Sequence, residues 1–142
     1  MKILLAVDGS KNSLDAVRNL IGHTSWFSTK PQVLLTYVHL PVPKVGAFGM
    51  GPSKAVLEKY YREEGEAALA KAKKMLEKAK ITHNLVVLVG PIAETLCKLA
   101  VDRKVDLIYV GTRGLTAAGN MIMGSVATKV LHIARVPVLL VK

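Results

Sequence analysis

Cysteine is nearly absent from the chain. Cys97 stands alone, so no intramolecular disulfide can form and a reducing, cytoplasmic setting is expected. Aromatic residues make up only 5% although 51% of the chain is hydrophobic, so the core must be built from Val, Leu, Ile and Ala. That composition suits a parallel sheet covered by helices. No apolar run approaches the about 18 residues that a membrane span needs, and no membrane partner is expected. Met1-Lys2 leads into an apolar stretch, but Asp8 ends it too early for a signal-peptide core. His23, His39, His83 and His132 show no metal-ligand spacing. No nucleophile, base and orienting acid stand together in the sequence, so nothing marks the chain as a dedicated catalyst.

The 142 residues fit one domain, residues 1–142, with no linker or tandem repeat inside it. Lys and Arg outnumber Asp and Glu by 20 to 10, a formal charge of +10 that favours anionic partners without choosing among them. No basic stripe interleaved with aromatics is visible, so nucleic acid is not the favoured partner. The lysines between Lys71 and Lys80 read as a solvated helix face.

Strand and helix signals alternate from end to end. Continuous apolar runs at 2–7, 32–38, 84–89, 106–110 and 136–141 read as buried strands. Between them, Leu14, Val17, Leu20 and Ile21 recur at helical spacing after a cap at Ser10 or Ser13. The segment 41–52, rich in Pro and Gly, reads as a loop. A long helix follows to about Ala79, with Leu57, Tyr61, Ala68, Ala72, Met75, Leu76 and Ala79 expected on one face. Ile92, Leu96, Leu99 and Ala100 mark a third helix, and Val126, Val130, Leu131 and Ala134 a fourth. Strict alternation argues for an α/β fold with a parallel sheet, in which ligands bind beyond the carboxyl ends of the strands.

Two strand exits are polar and glycine-rich: Asp8-Gly9-Ser10 after the first strand and Gly111-Thr112-Arg113-Gly114 after the fourth. Gly124-Ser125 then directly precedes the last helix, where unpaired backbone N–H groups and the helix dipole make an anion site. The Ser125 hydroxyl either caps that helix or donates to a phosphate. Taken alone, these residues fit a phosphate site or a capped strand-to-helix connection. Gly119-x4-Gly124-Ser125 has the glycine spacing of a Walker A loop but no lysine before the serine. Gly49-x-Gly51 lacks the third glycine of a dinucleotide fingerprint.

The pattern G-x2-G-x9-G-[ST], here Gly111, Gly114, Gly124 and Ser125, resembles the ATP-binding signature of the universal stress proteins. The opening ILLAVDGS, the segments VLLTYV, VGPIAETL and DLIYVGTRG, and the ending VPVLLVK are similar to that family across the whole chain. The resemblance implies a Rossmann-like single domain with a five-stranded parallel sheet in the order 3-2-1-4-5 and helices on both faces. It implies an ATP cofactor, with Mg²⁺ at the phosphates, and a regulatory role in which ATP hydrolysis is at most slow. By the same resemblance Asp8 would accept from the adenine edge or lie beside the nucleoside, and Val38 would meet adenine. Gly111, Gly114, Gly124, Ser125 and Val126 would surround ribose and phosphates, and Arg113 either reaches the outer phosphates or is solvated. Asp8 could equally cap the turn after the first strand. Tyr37 departs from the family, many of whose members have histidine there. A homodimer through the uncharged last strand is expected. The alternatives are a nucleotide-independent protein-interaction module and non-specific nucleic-acid binding through the basic surface.

Overall fold

The computed structural model describes residues 1–43, 51–112 and 123–142. Strand β1 (Lys2–Ala6) leads into helix α1 (Lys11–Gly22), and one 3-10 turn, Thr24–Trp26, precedes β2 (Gln32–His39). Helix α2 (Lys54–Lys78) and β3 (His83–Val89) follow. The chain continues through α3 (Ile92–Asp102), β4 (Leu107–Gly111), α4 (Ser125–Ile133) and β5 (Val138–Val141). All neighbouring strands run parallel, in the order β3-β2-β1-β4-β5. The sheet is the one implied by the family resemblance, and its strands differ from the apolar runs only at their ends.

Successive side chains of a strand face opposite sides of the sheet, which splits the core into two layers. Ile3, Leu5 and Val7 pack with Val17, Leu20, Leu69 and Leu76 under α1 and α2. Leu4 and Ala6 pack with Leu96, Ala100 and Val130 under α3 and α4. Of the two serines expected to cap α1, Ser10 does so, its Oγ accepting the Ser13 N–H at 3.1 Å.

Two helix faces differ from expectation. The buried positions of α2 are Gly65, Leu69, Ala72 and Leu76, while Leu57, Tyr61, Ala68, Met75 and Ala79 are only partly buried. Gly65 centres the contact because a Cβ there would come within 2.5 Å of both Val87 methyl groups, so the helix backbone lies directly on β3. An apolar-pattern reading passes over a glycine. On α4 the buried residues are Ala127 and Val130, and Leu131 is 45% exposed.

Helices α2 and α3 end alike. Lys80 donates to the Glu77 carbonyl (2.9 Å) and Ile81 to the Leu76 carbonyl (3.0 Å). Lys104 donates to Val101 (3.1 Å) and Val105 to Ala100 (2.8 Å). Both are Schellman caps, closed by buried Ile81 and Val105 against buried Leu76 and Ala100. Glycine usually occupies the left-handed position of such a cap; here Lys80 (φ 54°) and Lys104 (φ 51°) hold it.

Candidate functional site

Strand β1 is flanked by β2 on one side and β4 on the other, so the chain direction across the sheet reverses between β1 and β4. A cavity of about 340 Å³ opens at the carboxyl ends of these strands, in the size range of small-molecule sites. One wall is apolar, with Val38, Ile92, Leu96 and Val126. Asp8, Ser13, Thr36 and Thr112 bring polar atoms, and Gly111, Gly124 and Ser125 bring main chain.

Asp8 follows β1 directly. Its Oδ1 accepts the Ser10 N–H at 2.9 Å, and its own N–H donates to Ser13 Oγ at 3.3 Å. It therefore closes the turn before α1 and also lines the cavity. Gly9 has φ +80°, and an added Cβ would lie 3.4 Å from Ala68 Cα, so the turn is seated against α2.

On β2, Val38 is buried and faces the cavity. Its neighbour Tyr37 lies at the rim; burial, then the nearby charges of Glu64, Tyr60 and Asp8, push its phenol above the ordinary value. His39 sits in ring contact with Tyr37, Tyr60 and Tyr61 at centroid distances of 6.1, 5.6 and 5.0 Å. The Tyr61 hydroxyl accepts the Val42 N–H at 2.8 Å, fixing the chain as it leaves β2.

The glycine constellation is brought together in part. Gly111 ends β4 and pairs with Val141. Thr112 donates its N–H to Val141 and accepts the Gly124 N–H, both at 2.7 Å, so the chain on either side of residues 113–122 is joined at its base. This corrects one expectation: the Gly124 amide is committed to Thr112 and does not face a ligand. Gly124 caps α4 with φ −75° and ψ 156°, a conformation open to any residue, and no side chain among the described residues caps the helix. The Ser125 hydroxyl is thus not the cap, since Ser125 is already the first helical residue. Helix geometry leaves the N–H groups of Ser125, Val126 and Ala127 without intrahelical acceptors, and all three residues line the cavity. Arg113 and Gly114 lie outside the described residues.

Residues not singled out from the sequence complete the site. Thr36 is fully buried on β2, its carbonyl accepting the Val7 N–H at 2.9 Å. A threonine inside the apolar run LLTYV was the available signal. Thr112, 7% exposed, was visible only as a neighbour of Gly111. Below the cavity Glu94 of α3 pairs with Lys129 of α4, and that hydrogen bond holds the Glu94 carboxyl below the usual range. Among the described residues no group of three or more His, Cys, Asp or Glu side chains could hold a metal ion. No helix among them is long and apolar enough to cross a membrane.

Apolar side chains and the main chain of a helix N-terminus line one cavity at the switch point of a parallel sheet, the place where open α/β domains bind ligands. The sequence matches the Universal stress protein family over residues 1–142, and the chain belongs to that family. It is similar to universal stress protein MJ0531 of Methanocaldococcus jannaschii, with 36% identity covering 99% of this chain and 81% of the relative. The solved structure of protein MJ0577 superposes with a TM-score of 0.83 at 27% identity, covering 99% of this chain and 94% of that one. The universal stress protein of Archaeoglobus fulgidus, solved in complex with dAMP, gives 0.66 at 21% identity over 100% and 98% of the two chains. A family protein from Arabidopsis thaliana, solved with AMP bound, gives 0.70 at 15% identity over 100% and 91%. These last two likenesses concern the fold.

Proposed function

We propose that this chain binds an adenine nucleotide, ATP with Mg²⁺, in the cavity at the switch point, and serves as a nucleotide-dependent regulatory protein in the stress response. The carrying observation is the N-terminus of α4, capped by no side chain among the described residues, opening into a cavity that Val38, Ile92 and Leu96 also line. The Ser125, Val126 and Ala127 amides suit a phosphate, and Val38, Ile92 and Leu96 suit a base. The nucleotides bound by the relatives from Archaeoglobus and Arabidopsis support an adenine ligand. Asp8 accepts from the nucleoside while keeping the α1 turn closed. With no metal cage among the described residues, a magnesium ion is held chiefly by phosphate oxygens and water. Arg113 and Gly114 complete the phosphate wall in this reading.

Thermal shift or calorimetry with ATP, ADP and AMP, with and without Mg²⁺, tests the assignment, because a ligand that binds only the folded state raises its stability. No response at millimolar ATP and Mg²⁺ refutes it. Gly124→Val should abolish binding, not by backbone strain but because a branched side chain at this cavity-lining position would block the approach of the phosphates. Ser125→Ala should cost about 0.5–1.5 kcal/mol if the hydroxyl donates to the ligand.

The same reading includes a cytoplasmic homodimer joined through β5. That strand is a sheet edge of four apolar residues, Val138–Val141, and an uncharged edge invites pairing with a second copy about a two-fold axis.

A further inference from the structure

The end of the sheet opposite the cavity carries an arrangement that no single stretch of sequence displays. There the loops lead into the amino ends of the strands. Backbone hydrogen bonds tie them to one another: Val33 to Thr82, Gln32 to Met1, Asp106 to Lys2 and Ile108 to Pro137, all at 2.9 Å. Each loop sets a cation on this end. In sheet order these are Lys80 before β3, Lys30 before β2, Arg103 and Lys104 before β4, and Arg135 before β5. All five are exposed, and none is in a salt bridge among the described residues. Lys2, at the start of β1, donates through Nζ to the Arg103 carbonyl at 2.9 Å and adds its charge beneath the row. Nearby carboxylates are already engaged: Asp106 accepts the Lys2 N–H, Asp102 pairs with Lys98, and Glu77 with Lys73. With strands about 4.8 Å apart, five of them spread the row over about 19 Å.

The only tryptophan of the chain lies on the same end. Trp26, in the turn between α1 and β2, is 64% exposed, with its ring 4.0 Å from that of His23. Two of the cations are kept where glycine would be easier: Lys80 and Lys104 hold left-handed backbone at equivalent helix ends, both on this face. Backbone held in a sparsely populated region is a pointer to function.

We propose that this end of the sheet is a docking face for single-stranded nucleic acid. A linear row of cations matches a linear polyanion, and an exposed aromatic ring beside it offers a stacking platform for a base; the two together are how sequence-tolerant single-strand binding is built. A bilayer is the poorer match, because the loops themselves hold only Met1 and Trp26 as exposed large apolar residues, beside Val101 and Ile133 in the last turns of α3 and α4.

The test titrates an oligo(dT) strand of about 20 nucleotides into the full chain, following strand anisotropy and the fluorescence of Trp26. Binding in the micromolar range, with quenching of Trp26, is expected. Four or five phosphate contacts give log K against log salt a slope of about −3. The double variant Lys80→Gly, Lys104→Gly should melt higher than the wild type, since glycine relieves both caps, yet bind about tenfold more weakly with a slope shallower by about 1.4. Lys54→Gln with Lys59→Gln, an equal loss of charge near the other end of α2, should leave affinity nearly unchanged. Three outcomes overturn the proposal. One is no binding at low salt, and another is equal weakening by the two double variants. The third is retention on phosphatidylserine vesicles without retention of the oligonucleotide, which would assign the face to a membrane.

Discussion

Replacing Gly65 by alanine places a methyl carbon 2.5 Å from both Cγ atoms of Val87, well inside contact distance. Two opposed effects follow. Alanine in a helix interior gains about 1 kcal/mol over glycine. Forcing an extra carbon into a filled contact costs about 1–3 kcal/mol, because either the valine leaves its rotamer or α2 lifts from the sheet. The net expectation in the wild type is destabilisation of up to about 2 kcal/mol. Val87→Ala removes both clashing methyl groups and leaves only the Cβ of residue 87 at 3.1 Å, a contact relieved by a shift of a few tenths of an ångström, while the helical gain remains. Gly65→Ala should then stabilise by up to about 1 kcal/mol, less what the remaining 3.1 Å contact costs, so the sign of one substitution reverses with its neighbour. Urea unfolding of the four proteins, fitted with a common slope, measures the cycle. Equal effects of Gly65→Ala in both backgrounds would show that the helix does not rest on β3 through this glycine. The candidate site is tied to the same contact, because Ala68, one turn along α2, carries the Gly9 turn next to cavity-lining Asp8.

Burial raises the Tyr109 phenol above its ordinary value. In the unfolded chain it ionises near pH 10, so its contribution is complete below about pH 10 and is lost as pH rises through and beyond that value. Tyr109→Phe should flatten the alkaline decline seen in pH-dependent urea melts. It should cost about 1 kcal/mol at neutral pH, where Asn19 Oδ1 loses its hydroxyl donor. For the edge strand, light scattering should give a mass near two chains for the wild type and near one for Leu140→Lys, with circular dichroism confirming that the variant is folded. A wild-type mass of one chain refutes the dimer.

Much of the fold was legible because a parallel sheet buries both faces of its strands, leaving uninterrupted runs such as KILLAV and QVLLTYV. The order of those strands came from the family resemblance, since periodicity is silent about which strand lies beside which. Helix faces were read less well. On α2 the closest contact is made by Gly65, which has no side chain to register in an apolar pattern; Ala72 and Leu76 are buried as expected, and Leu69 was missed. Asp8, Gly111, Gly124 and Ser125, picked out by their positions after strands and before a helix, do line one cavity, together with Val38 and Val126, which the family resemblance named. The role of each atom was another matter. That the Gly124 amide would turn back to Thr112, leaving the three amides after it for a ligand, depends on a 2.7 Å bond between residues twelve apart. The row of cations was invisible for a simpler reason. Lys30, Lys80, Arg103, Lys104 and Arg135 lie in different loops, and only the parallel sheet, by sending every return loop to the same end, gathers them into one charged edge. The connectivity that collects glycines and amides at the carboxyl ends of the strands thus collects positive charge at their amino ends.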